Sequence, residues 1–427
     1  MKPGFEESSE KPDPNNRGSK SKSMRDRLTS AAVWSVVGRV LAVGAFFGSH
    51  FLLGRHLLKP DYAAYVMVSA IVAIATIFVT FGTSQILIRT IRRNAEPVQA
   101  ILSCLRLVVL FGFVAALVLL AASRYLGTEG KWEGLREYAP WVAVWFALSA
   151  TCLILSSALQ AMDDFRSAVL VGAKNGGLIP NVLFLVLLYV RSRYGLLDLG
   201  TIISMRAMLQ LFTLFAALIF VKNRVSRYRR SQLFKESTRV DIAVPTASWF
   251  LQESWYTVVT QFVAIAMAEL DVILVGFFVI DSDLANYGAA KNLINVVRAP
   301  LLMISIFLGP FIAELYYARQ LDRLEKLLRG AATIIGLPCL LAAATYVCFP
   351  EIIFELTYGA GFYEAVPLLR VFTLGTIVFV LTGCNGLTLV MTGHQRELMI
   401  CSLAVLLVYA VSAPFVLAHC GVMGVAW

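Results

Sequence analysis

Apolar residues run through this chain in long stretches broken by short polar segments. Stretches at about 29–54, 62–88, 98–122, 138–160, 167–190, 197–221, 242–278, 284–310, 331–349, 365–391 and 398–418 are each long enough to span a bilayer as a helix, which takes roughly 18 or more residues. They predict eleven complete spans, hence an all-α polytopic membrane protein. Residues Gly421 to Trp427 open a twelfth helix and the sequence then stops, so a truncated final span is expected. Residues 1–28 are rich in Pro, Ser, Asn and charge and cannot bury enough apolar surface to fold, so a disordered tail is expected there. It does not read as a signal peptide, because the apolar run that follows is too long and no A-x-A-like site closes it.

The basic residues between the stretches set the orientation. With the N-terminus in the cytoplasm, 23 of the 37 Lys and Arg fall in cytoplasmic segments and 7 in external ones. This is the positive-inside asymmetry, and it predicts a cytoplasmic N-terminus. The same clustering explains the net charge of +10 without nucleic acid. One segment, Glu314–Gly330, gathers Leu321, Leu324, Leu327 and Leu328 on one helical face with Arg319, Arg323, Lys326 and Arg329 elsewhere. It is expected to lie along the cytoplasmic interface against lipid headgroups.

The two halves repeat at an offset of 222 residues. Gly54 matches Gly276, Asp61 matches Asp283, Tyr65 matches Tyr287, and Val36-Val37 matches Val258-Val259. Six spans separate the copies, so both keep one orientation. The expectation is of two parallel lobes related by an axis along the membrane normal, as in many transporters. The chain then divides into a tail (1–28), an N-lobe of six spans (29–221), a basic cytoplasmic linker (222–241) and a C-lobe of five spans plus a truncated sixth (242–427).

Composition agrees: 58% of residues are hydrophobic and 15% charged, against roughly 45–50% and about 25% in soluble domains. The 7 Cys form no C-x-x-C pair and the 4 His show no ligand spacing, so neither a disulfide framework nor a metal site is indicated. No Gly-rich phosphate loop followed by Lys-Ser/Thr occurs, which leaves ATP drive without a motif.

The chemistry lies in charges inside the spans. There are seven bases (Arg39, Arg106, Lys174, Arg206, Lys291, Arg298, Arg370) against three acids (Glu253, Glu269, Asp271). An ionised side chain at the bilayer centre costs roughly 2.5–3.5 kcal/mol on insertion scales, so such residues face a cavity or pair with one another. Arg106, Lys174, Arg206 and Arg370 are near enough to helix ends for snorkelling to compete as an explanation. Tyr287, Lys291, Asn295 and Arg298 recur at i, i+4, i+8 and i+11 and share one face. Glu253 and Asp271 share a face of the preceding helix, 18 residues apart. Ser35, Arg39 and His50 lie close to one face of the first. These faces predict a net-cationic cavity between the lobes, which attracts anions. Candidate substrate-binding residues are Arg39, Lys291, Arg298 and Asn295, since Arg offers forked donors to phosphate and Lys a point charge. Glu253 and Asp271 are candidates for ion coupling or for an ion pair, Asp271 with Lys291 or Arg298. No catalytic residue or metal ligand is assigned.

Several strings, in order along residues 28–427, resemble the polysaccharide flippases (Wzx-type, oligosaccharidyl-lipid exporters) of the superfamily that includes the MATE multidrug antiporters. They are Leu57-Leu58-Lys59-Pro60-Asp61-Tyr62-Ala63-Ala64-Tyr65, Thr80-Phe81-Gly82-Thr83-Ser84, Asp271-Val272-Ile273-Leu274-Val275-Gly276, Leu284-Ala285-Asn286-Tyr287-Gly288, Tyr358-Gly359-Ala360-Gly361-Phe362-Tyr363-Glu364 and Cys420-Gly421-Val422-Met423-Gly424. The resemblance implies a MATE-like two-lobed helical bundle in the bacterial cytoplasmic (inner) membrane. It implies movement of undecaprenyl-pyrophosphate-linked saccharide units to the outer leaflet by alternating access, for surface polysaccharide assembly. Its partners would be that anionic lipid-linked saccharide, membrane lipids and the polysaccharide polymerase and export machinery, with no cofactor and no nucleic acid. Coupling to Na+ or H+ is left open; the first helix lacks the acid that cation-coupled relatives often carry. The alternatives are a MATE-like drug or metabolite antiporter, whose cationic cargo would need the opposite cavity sign, and a membrane glycosyltransferase or polymerase. The latter lacks a large loop, since external segments near 123–137 and 350–364 are only about 15 residues long.

Overall fold

The computed structural model describes residues 37–92, 96–126, 133–172, 177–195, 197–233, 247–279, 281–383 and 385–426. The tail, Lys174 and part of the linker lie outside them. All regular structure among the described residues is helical. It comprises α1 (Val37–His56), α2 (Lys59–Thr80), α3 (Thr83–Arg92), α4 (Pro97–Leu126), α5 (Glu133–Ala161), α6 (Phe165–Val171), α7 (Leu178–Arg193), α8 (Leu199–Leu233), α9 (Ala247–Phe278), α10 (Asp281–Tyr317), α11 (Leu321–Cys348), α12 (Pro350–Thr357), a 3-10 turn (Ala360–Ala365), α13 (Val366–Thr382), α14 (Asn385–Met391) and α15 (Gln395–Ala426).

Nine helical segments among the described residues are long and apolar enough to cross a membrane. Their outward faces carry exposed apolar side chains, such as Val109, Phe113 and Val118 on α4 and Val408, Val411 and Phe415 on α15. In water such surface would aggregate, whereas in a bilayer it is solvated by lipid.

Several predicted helices are in two pieces. The second apolar stretch breaks after Thr80, where Phe81 (φ 45°) and Gly82 (φ 63°) are left-handed, and restarts as α3. Phe81 holds that conformation although it is not glycine, and its ring stacks on Phe111 at 4.8 Å. The fifth divides into α6, which ends at an extended Gly172, and α7. The tenth breaks at Gly383 (φ 68°). Gly421 (φ 63°) breaks α15 at the place where the sequence predicted a loop before a further helix. The amphipathic segment expected along the interface is not separate. α10 continues to Tyr317, and from Leu321 the chain enters α11 without interruption. The predicted loop near 350–364 is instead α12 and the 3-10 turn. The basic segment after 221 is helical as far as Leu233.

Within the N-terminal half α5 packs on α2, α4 and α8; in the C-terminal half α10, α11 and α13 pack together and α9 lies on α15. The halves meet where α2 crosses α9 and α10. The crossing is close because Gly288 faces Val66: a Cβ at Gly288 would lie 2.7 Å from Val66 Cγ1. Under the 222-residue offset Val66 and Gly288 are equivalent positions. The contact thus joins a residue to the position 222 residues away that the sequence repeat pairs with it.

Gly288→Val should therefore lower the thermal-unfolding midpoint of the purified protein. Overpacking of this kind costs about 1–3 kcal/mol, and Val66→Ala in the same chain should recover part of the loss.

Candidate functional site

Three polar clusters tie the helices together, two inside the bundle and one at its end. The first is built by α9 and α10. Lys291 Nζ sits 2.7 Å from Asp271 Oδ1 and 3.5 Å from Glu269 Oε2, and it donates to the Ala268 carbonyl. Tyr287 OH, one turn before Lys291, donates to Asp271 Oδ2 at 2.8 Å. The i, i+4 spacing that put Tyr287 and Lys291 on one face brings both to the same carboxylate. The cluster sums to one negative charge, so Lys291 is compensated where it stands. The offset places Ser49 and Ser69 at the N-lobe positions of Asp271 and Lys291. Both are small and uncharged, so this ion pair exists in one lobe only.

The second cluster is in the N-lobe and was not assigned from the sequence. Arg206 on α8 is only 6% exposed. Its Nη1 donates to Asn181 Oδ1 of α7 at 3.0 Å and its Nε to Tyr65 OH of α2 at 3.4 Å. The guanidinium lies 3.7 Å from the Phe184 ring centroid and 5.9 Å from that of Trp145. Arg206 is thus buried rather than interfacial, and its hydrogen-bond partners are neutral. Cation–π contact replaces part of the lost hydration. Its partners come from three other helices, so no periodicity in one segment reveals them.

The third cluster joins the lobes at the end where α1 finishes and α2 begins. Arg55 Nη2 donates to the carbonyls of Glu355 (2.8 Å) and Leu356 (2.5 Å), a cation on the C-terminal carbonyls of α12. Lys59 pairs with Glu364 at 2.8 Å, and Asn286 also donates to that carboxylate at 3.1 Å. Tyr62 OH donates to Tyr358 OH at 3.2 Å. The Tyr358 ring lies over Gly54, where a Cβ would come within 2.1 Å of it, and packs on Phe51 and Phe362. Asn292 Nδ2 reaches His50 Nδ1 at 3.1 Å and Tyr62 OH at 3.3 Å.

The remaining candidates are more dispersed. Arg298 Nε donates to Thr376 Oγ1 at 2.9 Å and its guanidinium lies 5.3 Å from the Phe379 centroid, on α13 and not on an acid. Arg39 Nε is buried and has no hydrogen-bond partner among the described residues. Asn295 is half-buried on α10 between Lys291 and Arg298. The Glu253 side chain lies outside the described residues. No group of three or more His, Cys, Asp or Glu able to hold a metal ion occurs among the described residues.

A family model described as polysaccharide biosynthesis protein matches residues 28–316. The chain belongs to this family. The match covers both copies of the repeated motif and bears out the flippase resemblance read from the strings above. No curated protein matches the chain. Among solved structures, an inward-facing multidrug resistance MATE family transporter of the MOP superfamily superposes with TM-score 0.66 at 17% identity, over 90% of this chain and 89% of the other. A Vibrio cholerae MATE transporter variant gives 0.63 at 15%, over 96% and 93%. The MATE multidrug transporter DinF-BH, solved as a complex, gives 0.61 at 18%, over 94% and 90%. At these identities the likeness is one of fold: the chain has the MATE fold. This member of the polysaccharide biosynthesis family is a multi-pass membrane protein, and its family and fold are those of translocases.

Lys291→Met should be strongly destabilising, because breaking a buried pair costs about 3–5 kcal/mol. Adding Asp271→Asn should restore most of the unfolding midpoint. Full stability of the single variant would show that the pair is solvated.

Proposed function

We propose that the protein is a flippase that carries undecaprenyl-pyrophosphate-linked oligosaccharide units across the bacterial cytoplasmic membrane by alternating access, for surface polysaccharide assembly. In this reading the chain crosses the membrane with its N-terminus in the cytoplasm, as the basic segments suggest. The observation that carries the reading is the environment of Arg39 and Arg298. Each lies 17 residues from the end of its helix that borders the inter-lobe closure, α1 at His56 and α10 at Asp281. At 1.5 Å per residue this is roughly 25 Å in both cases. Arg298 rests on a hydroxyl and a ring, and the Nε of Arg39 is free of partners among the described residues. Two guanidinium groups at one depth, from different lobes, suit a diphosphate, which accepts forked hydrogen bonds.

In this reading the Tyr62–Tyr358 and Lys59–Glu364 contacts close the external side, and cargo is taken from the cytoplasmic leaflet. The lobes then rock about the α2–α10 crossing, and no covalent bond is made or broken. Lys291 and Asn295 lie on the same α10 face, above Arg298. Asp271 is the acid through which Na+ or H+ coupling would act, with Glu253 on the same helix. Delivery is to the polymerase and export machinery.

The MATE fold itself favours a second reading, export of an organic cation. Charge discriminates between the two: Arg39→Gln and Arg298→Gln should leave lipid-linked units on the inner leaflet and reduce outward delivery at least tenfold, measured by leaflet-resolved labelling. Undiminished delivery in the double variant, without a redundant flippase, would refute the anionic-cargo reading. Saccharide release or transfer by the purified protein would favour an enzyme.

A further inference from the structure

Lys291 and Asn292 are adjacent on α10, about 100° apart around the helix. Lys291 is turned to α9, where Asp271, Glu269 and the Ala268 carbonyl hold it. Asn292 is turned to the N-lobe. Its amide nitrogen donates to His50 of α1 and to Tyr62 of α2, so both hydrogens are used. With that nitrogen on Nδ1, the His50 proton sits on Nε2, which is buried and has no partner among the described residues. Tyr62 passes the chain on to Tyr358, the ring keyed over Gly54. One side chain beside the charged cluster therefore supports the His50–Tyr62–Tyr358 part of the inter-lobe closure.

We infer that Asn292 is a positioning residue that links occupancy of the cargo site to the external closure. An anion that draws Lys291 away from Asp271 and Glu269 shifts α10, and the adjacent amide leaves His50 and Tyr62. Tyr358 then loses its anchored partner and lifts from Gly54. The inference rests on the anionic-cargo reading above.

The test uses the full chain reconstituted in lipid, with its native cysteines replaced by serine. Spin labels go on cysteines at Tyr194 and Ile352, which are exposed at the closed end in different lobes. The probe is a short-chain isoprenyl diphosphate. In the otherwise unaltered chain the probe should lengthen the inter-label distance by several ångströms. Asn292→Leu, which keeps the branching and the number of side-chain heavy atoms but removes the amide, should show the long distance without probe and bind the probe within threefold of the parent, while translocation falls at least tenfold. Tyr62→Phe, which removes one hydroxyl and no volume, should also show the long distance without probe, and it decides the matter if Asn292→Leu does not fold. A short distance in both variants, lengthened by the probe as in the parent, would overturn the inference. A parent that binds no isoprenyl diphosphate would instead sink the cargo reading, and the probe-free distances would still decide whether Asn292 holds the closure.

Discussion

The architecture depends on how closely two helices can approach at the centre of the molecule. In a bilayer the apolar effect does not drive helices together, since lipid is as apolar as a leucine face; association comes from packing and polar contacts. The α2–α10 crossing supplies the packing. Gly288 offers its bare backbone to Val66, and the Tyr62–Tyr358, Lys59–Glu364 and His50–Asn292 contacts join the halves within about a turn or two of that crossing along α2 and α10. A bulkier residue at 288 would move α10 away from α2, and with it the reach of Asn292 and the seat of Tyr358.

Much of this was legible in the sequence because membrane helices leave strong signals. The apolar stretches became helices, and the polar face of α10 brought Tyr287 and Lys291 to one carboxylate. The reasons are elementary. A backbone in lipid must satisfy its hydrogen bonds internally, and a helical face repeats every three or four residues.

What escaped notice has physical reasons too. The break at Phe81 is carried by a left-handed phenylalanine beside Gly82, and a single glycine without a proline is too common inside membrane helices to mark a break. Arg206 looked like a snorkelling residue because it is near a helix start. Its burial depends on Asn181, Tyr65, Phe184 and Trp145, which only tertiary packing assembles. The α12 segment is one short amphipathic helix, and eight residues with two acids read as a loop. The role of Asn292 depends on which way one amide turns, whereas the charges around it drew attention as charges.

The ion pair of Lys291 with Asp271 has no counterpart at Ser69 and Ser49. Two identical subunits around a two-fold axis would be obliged to hold that pair twice, or not at all. Joining the copies in one chain removed the obligation. Each half is free to differ from its twin, so that one holds a carboxylate-bound lysine where the other has a serine. The molecule is in effect a heterodimer with a single gene's stoichiometry, and its two halves carry different charge at equivalent positions.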